Sequence, residues 1–168
     1  SLKADFEPDL AARIQSYEMA YRLQTSAPEL MDLGQESKET LDSYGITNPK
    51  EANFARNCLL ARRLIESGVR CVSLTLSDYD THRNNYPRLR QMLPVLDHSL
   101  HAFVLDLEER GLLDDVSIVV WGEFGRTPKV NTGGGRDHWP SAGMCLLAGG
   151  GMRVGQVIGA TDRYAASV

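Results

Sequence analysis

The sequence predicts an α/β fold, a mostly parallel sheet flanked by helices, and three observations predict it. Two β-rich apolar runs, Val69–Leu76 and Val116–Trp121, are separated by a long amphipathic stretch. Strand, helix, strand in that order is a βαβ crossover, and right-handed crossovers build parallel sheets. Ile118, Val119, Val120 and Trp121 are consecutive apolar residues stopped by Gly122, the pattern of a strand buried on both faces. A third apolar run, Met144–Ala148, follows a glycine-rich loop.

The elements follow in chain order. Residues 9–24 space Leu10, Ile14, Tyr17 and Tyr21 as a helix does, with Asp9 as N-cap and Ser26-Ala27-Pro28 as the break. Glu29–Leu33 reads as a helical turn, Ser37–Tyr44 as a short helix closed by Gly45, and Ile46–Lys50 as a linker. Helix 51–67 carries Phe54, Cys58, Ala61 and Ile65 on one face. Arg56, Arg62 and Arg63 fall on a face read as solvated, and Gly68 is the expected residue just past the end. The first strand, Val69–Leu76, ends in polar Ser77–His82, and Arg83–Pro87 is a loop. The longest helix, 88–110, has a wide apolar stripe (Leu89, Met92, Leu96, Leu100, Phe103, Leu107), with Pro94 as a start or a kink. Gln156–Ile158 reads as a short edge strand.

At 168 residues the chain has room for one domain: a helical segment over 1–68 packing on an α/β core segment over 69–168. A net charge of -4 gives no electrostatic case for nucleic acid or an anionic membrane. No run approaches the roughly 20 apolar residues of a membrane span. Cys58, Cys71 and Cys145 are scattered in apolar runs, so each is expected to be a free, buried thiol rather than part of a disulfide framework. The opening SLKADFEPDLAARIQ shows neither an initiator Met nor a signal peptide. With no initiator Met, and with an end, GATDRYAASV, that stops without a terminating helix or strand, the chain reads as a piece of a longer protein, truncated at both ends.

The chemistry gathers where the strands end. Asp78, Asp80 and His82 follow the first strand, Glu123 follows the second, and Asp137-His138 close the loop after it. In open α/β sheets ligands bind at the carboxyl ends of strands, and neighbouring strand ends lie roughly 5 Å apart laterally. Carboxylates with imidazoles form a hard-to-borderline ligand set suited to Zn, Mn, Mg or Ca, so the expected cofactor is a divalent metal. Arg126, Lys129 and Arg136 share that loop and are candidates for holding a substrate oxyanion. Each of these residues also has a plain reading, as turn-former, ion-pair partner or solvated charge, and His98 and His101 on the long helix are read that way. The glycine runs GGGR and GGGM match neither GxGxxG nor a P-loop.

The segments GEFGRTPKVNTGGGRDHWP and CLLAGGGMRVGQVIGATD, with YEMAYRLQTSAPELMDL, FARNCLLARRLIESGVRCVSL and DTH upstream, resemble the bacterial family known as domain of unknown function 1501. That family is placed with sulfatases, phosphopentomutases and cofactor-independent phosphoglycerate mutases in the alkaline phosphatase-like superfamily. The resemblance implies a partial alkaline phosphatase-like three-layer core and a metal-dependent hydrolase of sulfate or phosphate esters, with a small-molecule or carbohydrate ester as substrate and an exported, periplasmic parent. Position by position, Asp80 and His82 (with Asp78 in a DxxxH spacing) resemble the first ligand cluster, Glu123 the second acid and His138 the later histidine. Phe124 departs from the pattern, standing where many members ligate through histidine. The superfamily's nucleophile has no match here and is expected upstream. The alternative is an exported binding or structural protein that keeps the fold around a degenerate site.

Overall fold

The computed structural model describes residues 7–167. Its centre is a helix pair, α3 (Phe54–Glu66) against α4 (Asn85–Glu109). Asn53 caps α3, its side chain accepting from the Arg56 N–H at 2.8 Å, so that helix starts at Phe54 rather than Glu51. Leu59 and Leu107 are fully buried between the two, with Cys58, Phe103 and Ala102 around them. Each such aliphatic side chain contributes about 1.5–3 kcal/mol on burial. The segment before α3 closes one end of this core. A 3₁₀ turn (Leu33–Gln35) and α2 (Lys38–Ser43, capped by Ser37) deliver Leu33, Tyr44 and Ile46, all nearly inaccessible. Ile46 is thus a core residue inside what the sequence presents as a linker.

The arginine face of α3 is not solvated. Arg62 is 2% exposed and donates to Glu36 (2.6 Å), Glu66 (2.5 Å) and Asp106 (2.9 Å). Asp106 also accepts from Tyr44 Oη and Arg110, while Arg63 reaches Glu36 and the carbonyls of Glu29 and Leu30. Burial alone would raise the Glu36 carboxyl, but the two guanidiniums outweigh it and hold it below the usual range. The same low-dielectric surroundings push the Cys58 thiol up to about 12. Cys71 and Cys145, by contrast, are exposed.

Helix α1 spans Glu7–Met31, starting before Asp9 and running through Pro28 instead of breaking at Ser26–Pro28. Its predicted inner face does not meet the core: Leu10, Ile14, Tyr17 and Tyr21 are 48% to 74% exposed.

Among the described residues the parallel sheet is absent, and with it the three-layer alkaline phosphatase-like core. Among the described residues, β1 (Ser117–Trp121) pairs only with β4 (Cys145–Gly149), antiparallel, with Val119 opposite Leu147. A second two-residue pair joins β2 (Gly125–Arg126) to β3 (His138–Trp139), also antiparallel. Two physical reasons account for the difference. No helix lies between β1 and β4, so the chain returns beside itself in the antiparallel sense. The sheet is also covered on one face only. Ile118 is buried and Val120 and Ala148 pack on the core, but Val119, Trp121 and Leu147 face outward and are half or more exposed. A one-sided sheet is where antiparallel pairing is at home.

Val69–Leu76 is not a strand. Val72 packs on the core, Cys71, Ser73, Leu74 and Thr75 are exposed, and no ladder forms. β-Propensity describes a pleated surface with neighbours, and this run lacks the neighbours. Gln156–Ile158 likewise has no strand, and Val157 and Ile158 are exposed. No helix among the described residues is long and apolar enough to cross a membrane.

Candidate metal centre

Two loops build the site. The first, Asp78–Asn84, runs into α4. Thr81 anchors it: its hydroxyl accepts from Asn85 Nδ2 at 2.5 Å, and its carbonyl accepts from the Arg136 N–H at 3.1 Å. The second is the glycine-rich loop between β2 and β3. The two are locked by a bridge between Arg83 and Gly134 and by the N–H groups of Asn84 and Asn85, which donate to the Gly133 and Gly134 carbonyls. The crossing is tight at Gly135, where a Cβ would stand 1.9 Å from the His82 carbonyl oxygen. Only glycine fits there.

Asn131 fastens this arrangement. Its Oδ1 accepts from the Gly133 and Gly135 N–H groups, both at 3.0 Å, and its Nδ2 donates to the His82 carbonyl at 3.0 Å and to Asp137 at 3.3 Å. Sequence reasoning passed over Asn131. The signal was an Asx turn opening the run NTGGG, where an asparagine satisfies loop N–H groups.

These contacts bring three side chains to one point. Asp80 Oδ1 lies 3.0 Å from His82 Nε2 and 2.9 Å from His138 Nε2, and the two imidazole nitrogens are 3.1 Å apart. No other such group of histidine, cysteine and carboxylate donors is present among the described residues. Asp137 stands behind His82, its Oδ1 2.7 Å from Nδ1. A carboxylate only accepts, so with His82 neutral Nδ1 carries the proton and Nε2 presents a lone pair to Asp80 and His138. Hydrogen bonds from His138 and then Arg126 hold the Asp80 carboxyl down at about 2. The bond from His82, then that from Asn131, lowers Asp137. Phe124 packs on the His138 ring with centroids 4.3 Å apart, a positioning contact at the place where a ligating histidine was the expected pattern.

The donor set fits a divalent ion. The three separations, 2.9 to 3.1 Å, are those of hydrogen-bonded atoms, and one ion at roughly 2.1 Å from each could reach all three. The Asp137–His82 contact is the carboxylate–histidine pair that orients imidazole ligands. As the cluster stands, His138 Nε2–H donates to Asp80 Oδ1; with that proton on His138 Nδ1 instead, all three atoms would present lone pairs to one cation.

The other residues singled out from sequence lie elsewhere. Asp78 is ion-paired with Arg88 and adopts a left-handed backbone with φ 83°. Glu123 is exposed, outside the donor cluster and without a side-chain partner among the described residues. Arg126 reaches the cluster, donating to Asp80 Oδ1 at 2.7 Å and to the Tyr79 carbonyl at 2.9 Å. Arg136 donates to the Thr127 and Pro128 carbonyls and to Tyr86 Oη, which ties the loop together. Lys129 is exposed.

Residues 1–168 match the model of a family described as Protein of unknown function (DUF1501), and the chain belongs to that family. No curated protein and no solved structure matches it.

Proposed function

With membership of that family as the premise, we propose that this chain holds a divalent cation for a metal-dependent hydrolase of phosphate or sulfate esters, of the sulfatase-like kind. The observation that carries the reading is the triangle of Asp80 Oδ1, His82 Nε2 and His138 Nε2, with edges near 3 Å and Asp137 behind His82. Asp80, His82 and His138 would hold the ion, and Asp137 would keep His82 in the tautomer that ligates. When bound, such an ion polarises a phosphoryl or sulfuryl oxygen and lowers the pKa of bound water. The chain's own residues orient and fix charge: Arg126 anchors Asp80, and Phe124 holds the His138 ring. No residue of this chain is assigned as nucleophile. Of Zn, Mn, Mg and Ca, a set of two imidazole nitrogens and one carboxylate suits Zn or Mn better than Mg or Ca, which take oxygen donors. An ester substrate and an exported setting belong to the same proposal, on the resemblance alone.

One observation favours the second reading, a binding protein with a degenerate site. Glu123 is outside the cluster, and Phe124 stands where the resemblance would put a ligating histidine, so a second ion would lack donors. Calorimetric titration with Mn²⁺, Mg²⁺ and Zn²⁺, using His138→Ala and Glu123→Ala, tests the site. His138→Ala abolishes tight binding and Glu123→Ala leaves it. Equal binding by wild type and His138→Ala refutes the metal centre. Assays on aryl phosphates and aryl sulfates then separate hydrolase from binding protein.

A further inference from the structure

Helix α1 stands off the core. Every residue from Leu10 to Arg22 is exposed, and the helix is tied down near its far end, where Arg63 donates to the Glu29 and Leu30 carbonyls. That position suits a polar helix, yet this one carries Leu10, Ile14, Tyr17 and Tyr21 along one side, open to water. Their successive spacings are 4, 3 and 4 residues. This is the alternation of a coiled-coil seam, a narrow stripe that faces one partner helix. Leu10 and Tyr17 fall at d, and Ile14 and Tyr21 at a. Glu7 and Gln24 take the next seam positions on either side, so the apolar seam covers about two heptads.

The flanking charges select the partner. In the same heptad Arg13 stands at g and Glu18 at e, on opposite sides of the seam. Within one helix, side chains meet at a spacing of three or four residues, so these two do not pair with each other. Neither side chain has a partner among the described residues. In a parallel pair of identical helices, g of one chain faces e of the following heptad in the other, five residues on. Arg13 then meets Glu18 of the second copy on one flank, and Glu18 meets Arg13 of the second copy on the other. An antiparallel pair sets g against g and e against e and loses both contacts. Isoleucine at a with leucine at d is, in addition, the two-stranded parallel preference.

We propose that α1 is a self-association helix: two copies of this chain pair in parallel along Leu10, Ile14, Tyr17 and Tyr21, with two reciprocal Arg13–Glu18 ion pairs setting the direction. The inference is independent of the metal centre. The seam is short, so dimer and monomer exchange with protein concentration. From sequence the same four residues read as the inner face of a helix on the core, because a stripe facing a core and one facing a second helix differ mainly in width.

Sedimentation velocity of the whole chain over a range of concentrations, with circular dichroism as a control for folding, tests the pairing. Wild type is expected to pass from monomer to dimer as concentration rises. Ile14→Asp puts a charge into the seam and should leave monomer alone. Arg13→Glu and Glu18→Arg each turn two attractions into two repulsions and should weaken dimerisation about tenfold. Both positions are exposed, so neither change disturbs the core. In a heterodimer of these two variants every flanking pair is again of opposite charge. An equal mixture should therefore regain dimer close to the wild-type level, and the double variant Arg13→Glu/Glu18→Arg should dimerise alone. A wild type that stays monomeric into the millimolar range overturns the proposal and leaves the stripe to a different occupant. A dimer unaffected by Ile14→Asp, or a mixture no more dimeric than either charge variant alone, overturns it as well.

Discussion

Replacing Asp137 with Asn isolates what the residue behind His82 does. The side chain keeps its shape and an amide oxygen that can accept from His82 Nδ1 at the same 2.7 Å position. It loses the negative charge. Second-layer substitutions at metal sites reduce affinity about 10- to 100-fold. The Asp137 side chain is 54% exposed, so solvent screens part of its effect on the imidazole and places the expected loss near the lower end, about tenfold. The amide brings a second consequence. Asn131 Nδ2 donates to both Asp137 oxygens at 3.3 and 3.4 Å, and an asparagine at 137 offers it only one acceptor. Mn²⁺ titration at fixed pH, with circular dichroism to confirm an unchanged fold, reads the effect. An Asp137→Ala variant should lose more than Asp137→Asn, because it removes the acceptor as well as the charge. If Asp137→Asn binds Mn²⁺ as wild type does, His82 is not oriented by Asp137 and the argument for its tautomer fails. If it binds no metal at all, Asp137 is itself a ligand, as the sequence reading allowed.

Three further outcomes follow from the loop crossing and the core. Gly135→Ala forces a Cβ into the His82 carbonyl, so the two loops must part; metal binding should disappear while thermal unfolding of the helical core shifts by only a few degrees. Arg62→Ala strips one partner from the carboxylates of Glu36 and Asp106, but each keeps another, Arg63 and Arg110 respectively. The cost, read by urea unfolding, should be about 3 kcal/mol, the low end for breaking a buried ion pair, and a loss under about 1 kcal/mol would show the network to be idle. Glu36 gives the pH dependence. Its folded pKa lies below an unfolded value of about 4.3, so its contribution is complete above that pH and fades as pH falls through the folded value. The stability gap between wild type and Glu36→Gln should be flat from pH 7 to 5 and narrow below about 4.3; a gap constant down to pH 3 contradicts the shift.

Helices were largely legible in the sequence and the sheet was not, for a physical reason. Helical signals are local: α2, α3 and α4 run within a few residues of where the apolar spacing places them, although neither Ser37 nor Asn53 was read as a cap. Pairing between strands is set by distant neighbours. Val69–Leu76 carries ample β-propensity but finds no partner, and β1 meets β4 because the intervening loop folds back. The arginines of α3 mislead for a related reason. Charge suggests solvent, yet Glu36, Glu66 and Asp106, scattered over 70 residues, converge on Arg62 and make burial tolerable. At the site, residue chemistry was readable and mutual position was not. The strand-end argument expected Glu123 and Asp78 beside Asp80, His82 and His138. In the absence of the parallel sheet, the convergence is produced by two loops instead.

That substitution changes what holds the site together. A rim of parallel strands would set ligand positions through ladder hydrogen bonds. Here β2 and β3 contribute two residues each, and the rest depends on side chain-to-backbone bonds: Asn131 to the glycine N–H groups, Arg136 to Thr127 and Pro128, Arg126 to Tyr79. Each is an ordinary hydrogen bond with a net contribution of about 1 kcal/mol. Their placement matters more than their sum, because every one of them joins the loop of Asp80 and His82 to the loop of His138 or closes the second loop on itself. A cation shared by the three donors would bridge the same two loops a further time. Metal binding and loop closure are therefore coupled: loss of Asn131 or Gly135 should weaken the ion without touching a ligand, and the ion should in turn protect these loops from proteolysis while leaving α3 and α4 unaffected.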